Sequence, residues 1–129
     1  MKSPQWIDRR ALLLLHAETL AEHGGLPGLR DEKALEAALA RPWHIHTYEA
    51  RTDLARLAAA YGFGIVRGHP FNDGNKRAGF LAIGLFLSLN GHGLTVPSVD
   101  AVEKITRLAA GQLTEQALAE WIRENTKRL

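Results

Sequence analysis

The chain has 129 residues, 46% hydrophobic and 23% charged, an ordinary composition for one soluble domain that buries its own core. It has no cysteine, which excludes disulfides and thiolate metal sites, and its formal charge of +2 comes from scattered basic residues that leave no footprint for direct nucleic-acid binding. The run Ala11–Leu15 is too short for a signal-peptide core, and the most apolar stretch, Ala78–Leu89, is about half a membrane span, so a soluble cytoplasmic protein without membrane contact is expected.

No repeat, low-complexity run or linker interrupts residues 1–129, which read as a single domain. In chain order, Leu12, Leu15, His16, Thr19 and Leu20 share one face, predicting a first helix that Gly24-Gly25 closes. Asp31 is the expected N-cap of a second helix with Leu35, Ala38 and Leu39 inward, and Pro42 is expected to stop it. Trp43–Tyr48 shows no clear helical period and reads as a loop or short hairpin. Asp53 caps a third helix striped by Leu54, Leu57, Ala58, Tyr61 and Ile65. Gly68–Gly74 is rich in turn formers. Asn75–Leu89 is apolar nearly all round, the pattern of a buried central helix, and Asn90-Gly91 ends it. Ser98 opens a fifth helix with Val99, Val102 and Ile105 inside, and Thr114 a sixth with Leu118, Trp121 and Ile122. Six short helices with almost no strand pattern predict an all-α fold.

The chemistry concentrates where the turn-rich segment enters the apolar helix. Gly74 and Asn75 form the helix mouth, where backbone N–H groups lack intrahelical partners and the dipole is positive, a ready anion site. Lys76 and Arg77 add two cations on that first turn, where each opposes the dipole by about 0.3–1 kcal/mol, a cost that a bound polyphosphate would offset. Asp73 is placed to hold Mg²⁺, which takes oxygen ligands and shares them with phosphates. The imidazole of His69 can take a proton from an attacking hydroxyl, while Phe71 anchors the loop and Pro70 restricts it. Base, metal ligand and anion cradle fall within nine residues, the inventory that phosphoryl transfer needs.

The string His69-Pro70-Phe71-Asn72-Asp73-Gly74-Asn75-Lys76-Arg77 resembles the Fic/Doc signature and, within that superfamily, the death-on-curing (Doc) toxin branch of toxin–antitoxin systems. Lys76 marks the toxin branch, because the Fic branch usually has glycine there and a second arginine at the position of Phe80. Gly74 and Pro70, by contrast, look like the Fic branch. The segment Gly24–Asp31, Leu35, Arg41-Pro42, His16 and the Gly68-His69 junction extend the similarity from the first helix to Asn90.

The resemblance implies a six-helix Fic fold with the active-site loop at the N-terminus of the buried helix. It implies His69 as general base, Asp73 as Mg²⁺ ligand, Gly74, Asn75, Lys76 and Arg77 as the phosphate hole, and Phe71 as anchor. It implies a kinase that moves the γ-phosphoryl group of ATP to a hydroxyl of a protein, elongation factor Tu, blocking translation. AMP transfer by the same site is the alternative, and a non-catalytic helical binding module is a second. Toxin-branch proteins are held in check by an antitoxin; no internal Ser/Thr-x-x-x-Glu-Gly/Asn inhibitory motif occurs here, so inhibition in trans is expected.

Other residues read more plainly. His44-x-His46 lacks a third ligand and reads as a solvated loop, although Trp43–Tyr48 is also a candidate for the flap that docks a target backbone in relatives. Gly62, Gly64, Gly68, Gly79 and Gly84 are expected to let the two central helices pack closely. Arg30 and Arg67 are candidate secondary contacts to phosphate or target, and His16, His23 and His92 have no assigned role.

Overall fold

Among residues 3–129, which the computed structural model describes, the chain forms six α-helices and a two-stranded sheet. In order these are α1 (Arg9–His23), α2 (Glu32–Tyr48), α3 (Leu54–Gly68), α4 (Asn75–Leu89), β1 (His92–Leu94), α5 (Ser98–Ala109), α6 (Glu115–Glu124) and β2 (Thr126–Arg128). None of the described helices is long and apolar enough to cross a membrane.

The helix starts follow local chemistry. Asp31 accepts from Ala34 N at 3.1 Å, Asp53 from Arg56 N at 2.9 Å and Thr114 from Ala117 N at 3.0 Å, each satisfying a first-turn donor. Gly24, in a positive-φ conformation, closes α1. The α1 stripe faces inward as expected, with Leu12, His16 and Thr19 buried.

Pro42 does not end α2. The helix runs six residues further, through Trp43–Tyr48, so that segment is neither loop nor hairpin nor flap. An interior proline removes one backbone bond and costs about 3 kcal/mol by itself, so tertiary packing must outweigh it. The structure supplies that packing: Pro42 is buried, and Gly64 of α3 lies against the Ala38 backbone, where a Cβ would come within 3.1 Å of Ala38 Cα. Beyond the proline, Trp6 packs edge-on against His46, and Thr47 Oγ1 donates to Trp43 O at 2.8 Å.

α3 and α4 together form the centre. α3 packs on α2, α4, α5 and α6, and its small residues Ala55, Ala58, Ala59, Ala60 and Gly62 are buried, which lets neighbours approach from several sides. Close approach of α3 and α4 rests on two of the expected glycines: a Cβ on Gly62 would meet Ile83 Cδ1 at 2.6 Å, and one on Gly79 would meet Val66 Cγ2 at 2.5 Å. Gly84 faces open space and has no such role. Glu115, buried at the start of α6, receives Arg56 at 2.8 Å and also Arg41, linking α2, α3 and α6.

α5 departs from expectation in phase. Its buried residues are Ala101, Ile105 and Leu108, while Val99 and Val102 are 77% and 66% exposed. The stripe at i, i+4 and i+7 turns both valines outward. The small sheet was not expected from the sequence: β1 and β2 pair antiparallel, with Gly93 opposite Lys127, so the basic end of the chain is a strand.

Candidate active site

α3 ends at Gly68, and His69 follows in a left-handed conformation (φ 53°, ψ 53°), alone in this among the described non-glycine residues. Such a backbone persists only when its surroundings hold it. Arg30 does so from outside the loop: Nε donates to His69 O at 2.6 Å and Nη2 to Gly68 O at 3.1 Å. A guanidinium on the last carbonyls of a helix satisfies orphan acceptors and complements the dipole. Arg30 is therefore tied to the main chain, not aimed at a phosphate. Arg67 is spent similarly on Leu108 O and Ala109 O, both at 3.4 Å, at the end of α5.

The segment from Pro27 to Asp31 lies antiparallel beside the loop that follows His69. Arg30 N and Asp31 N donate to Pro70 O at 2.8 and 3.1 Å, Leu29 bridges Phe71, and Asn72 N donates to Gly28 O at 3.0 Å. Asn72 Nδ2 adds a bond to Pro27 O at 2.9 Å. The stretch that runs along the active-site loop is thus the one between α1 and α2, not Trp43–Tyr48.

Phe71 is buried as expected, and its ring stacks on His16 with centroids 3.7 Å apart. His16 Nε2 donates to Asp73 O at 2.8 Å, so this α1 residue clamps the loop on both sides of Asn72. Asn75 is buried and its amide turns back under the loop. Phe71 N donates to Asn75 Oδ1 at 3.0 Å, and Asn75 Nδ2 donates to Phe71 O at 3.0 Å and to His69 Nδ1 at 2.7 Å. Because the Phe71 N–H and C=O fix which end of the amide is which, Nδ1 of His69 accepts, and the neutral ring carries its proton on Nε2. Asn75 therefore offers the cavity its backbone N–H, while its side chain organises the loop.

Gly74, at φ 75°, is the N-cap of α4. Its N–H is taken by Asp73 Oδ1 at 2.9 Å, while Leu26 N donates to Asp73 Oδ2 at 3.2 Å. Each carboxylate oxygen keeps a free lone pair. Lys76 and Arg77 are exposed, and among the described residues neither pairs with a carboxylate. A cavity of about 490 Å³ gathers His69, Asn72, Asp73, Gly74, Asn75, Lys76 and Arg77, with Ala109 of α5. Of the seven site residues named from sequence, it brings together all but the buried anchor Phe71.

The donor set suits Mg²⁺ held mainly by its substrate. Asp73 is the carboxylate of the cavity, and among the described residues no group of three His, Asp or Glu side chains could hold a metal alone. Mg²⁺ is commonly bound by one or two carboxylates together with phosphate oxygens and water. His44 is exposed and stacks on Tyr48 at the surface, and His46 Nδ1 lies 3.2 Å from Thr52 Oγ1.

Sequence reasoning left His16 without a role and misread Arg30. Both act through main-chain carbonyls of residues 38 to 57 positions away, which leaves no local spacing to read. The one available signal was the place of His16 on the buried stripe of α1.

Comparison with known proteins agrees with this geometry. Residues 6–87, which include the whole loop and most of α4, match the Fic/DOC family model. The chain is 33% identical over 117 residues to the protein kinase doc of Escherichia phage P1, covering 91% of this chain and 92% of that protein. It is 35% identical over 103 residues to the toxin Doc of Mycolicibacterium smegmatis, covering 78% and 77% respectively. An all-helical chain whose signature loop is clamped by α1, by Arg30 and by its own buried asparagine thus belongs to the Fic/DOC family, on its Doc toxin branch.

Proposed function

We propose that this protein is a toxin kinase that transfers the γ-phosphoryl group of ATP to a Ser/Thr hydroxyl of a protein, with elongation factor Tu as the target and an antitoxin as its inhibitor in trans. The observation that carries the reading is one cavity in which an imidazole, a carboxylate and two uncompensated cations surround a helix N-terminus. The protein kinase doc of phage P1, similar along nearly its whole length, supports phosphoryl transfer in particular.

In the reaction the hydroxyl oxygen forms a bond to the γ-phosphorus, the bond to the bridging oxygen of ADP breaks, and the hydroxyl proton leaves. The backbone N–H groups of Asn75, Lys76 and Arg77, on the first turn of α4, would take the terminal phosphate, and the Lys76 and Arg77 side chains would balance its charge. Mg²⁺ at Asp73 would neutralise charge shared between the phosphates. His69 takes the proton. Its Nε2 is the nitrogen not held by Asn75, and since the resting tautomer carries a proton there, the base form requires Nδ1–H and a loosened Asn75 contact.

The test is intact-mass analysis of elongation factor Tu after incubation with the protein, ATP and Mg²⁺. A gain of about 80 Da that disappears with His69→Ala is expected. A gain of about 329 Da would replace phosphoryl transfer with AMP transfer, and an unchanged mass would reject the target.

A further inference from the structure

Three consecutive carbonyls around His69 are held by a single residue from outside the loop. Arg30 Nη2 donates to Gly68 O at 3.1 Å, its Nε to His69 O at 2.6 Å and its backbone N to Pro70 O at 2.8 Å. These bonds bracket the one described non-glycine residue with positive φ. Backbone torsions set the direction of the Cα–Cβ bond, so the left-handed conformation decides where the imidazole points. The loop's own sequence works against that conformation. A residue with a Cβ rarely adopts it, and a following proline biases His69 towards extended backbone. Relaxation in that direction would swing the ring away from Asn75 Nδ2, which now donates to His69 Nδ1 at 2.7 Å.

We infer that Arg30 is a positioning residue for the transfer, the external tether that keeps the His69 imidazole aimed at the attacking hydroxyl. The inference rests on the phosphotransferase reading and adds to its machinery a residue from the segment between α1 and α2. Asn75 holds the ring, and Arg30 holds the main chain that carries it. The planar guanidinium fork serves two successive carbonyls at once, where an ammonium would act as a single point charge. The phosphate cradle depends on other bonds: His16 Nε2 donates to Asp73 O at 2.8 Å, and Gly74 N to Asp73 Oδ1 at 2.9 Å. Loss of Arg30 therefore impairs the proton acceptor and spares nucleotide binding.

Turnover of the full chain on elongation factor Tu, with ATP and Mg²⁺, tests this, whichever group the mass gain shows to be transferred. Arg30→Ala is expected to lower kcat about thirtyfold while KM for ATP changes less than about twofold. Arg30→Lys keeps the charge without the fork and should stay at least about threefold below wild type, which carries the test if the alanine variant does not fold. The Arg30 side chain is 50% exposed, so its removal opens a slot that a free guanidinium ion can enter. Millimolar guanidinium should raise the rate of Arg30→Ala at least about fivefold and that of His69→Ala not at all. A residue that merely stabilised the fold would gain nothing, since the ion weakens folding. Nitrogen NMR signals of the His69 ring report the Asn75 bond without any reaction, and the accepting Nδ1 signal should disappear in Arg30→Ala. An unchanged kcat, or a lowered kcat with an unchanged ring signal and no guanidinium rescue, would overturn the inference. A wild type that leaves elongation factor Tu unmodified would reject the functional reading instead, and the ring signal would then decide the tether alone.

Discussion

Asn75 offers the sharpest test of how the loop is held. Replacing it with alanine removes three contacts at once: those to the Phe71 N–H and C=O and that to His69 Nδ1. Phe71 is 1% exposed, so its two backbone groups would be left without partners in a dry environment. Each unsatisfied group costs about 1–3 kcal/mol, and the imidazole contact contributes about 0.5–1.5 kcal/mol. Water from the open cavity relieves part of this, so about 3 kcal/mol is expected for Asn75→Ala. For a chain of 129 residues that lowers Tm by about 11 °C. Activity at a temperature where the variant stays folded should fall about a hundredfold, since His69 loses its locator. In a His69→Ala background the imidazole contact is already gone, so Asn75→Ala should then cost about 1 kcal/mol less. Calorimetric melts of the four proteins in the cycle, with turnover measured for the two that retain His69, decide the matter. A Tm within about 2 °C of wild type would refute the buried-bond argument. A large loss of Tm with normal turnover would refute the positioning of His69.

Two further substitutions probe the scaffold. Gly79→Ala should destabilise by about 1–3 kcal/mol, measured by urea unfolding, because its Cβ would stand 2.5 Å from Val66 Cγ2 and 3.3 Å from Gly62 O, outweighing the gain in helix propensity. Asp53, bonded to Arg123 at 2.6 Å, has its carboxyl held below the usual range by that guanidinium. A folded-state value below the unfolded one gives stability that is present at neutral pH and lost as pH falls below about 3.9. Arg123→Ala should therefore cost up to about 1 kcal/mol at neutral pH, where the half-exposed pair contributes, and flatten the fall of Tm below about pH 4.

What the sequence revealed was what is local. Asp31, Asp53 and Thr114 each bond the backbone three residues on, and the nine residues from His69 to Arg77 carry their chemistry in one stretch. Pro42 misled because its cost is local whereas its compensation, Gly64 against Ala38, lies on another helix. Val99 and Val102 misled because alternating apolar positions in α5 fit two phases. The true stripe includes Ala101, a small residue that a hydrophobic pattern underweights. Arg30 and His16 act across 39 and 57 positions through carbonyls that every residue has, so no pattern of side chains announces them.

The arrangement of cations gives the site its logic. Arg30 and Arg67 lie at helix C-termini, where the dipole favours them, and Arg41, Arg56 and Arg123 are each bonded to carboxylates. Lys76 and Arg77 stand on the first turn of α4, where the dipole opposes them. Repulsion of about 0.3–1 kcal/mol per cation is present in the free protein, and an anion seated at that turn removes it. The stability forgone in the unliganded state and the affinity gained on binding are thus one electrostatic interaction seen from two ends. The clamps from His16, Arg30 and Asn75 keep the loop from relaxing to escape it, so the cations stay at the helix mouth at the expense of bonds made elsewhere in the loop.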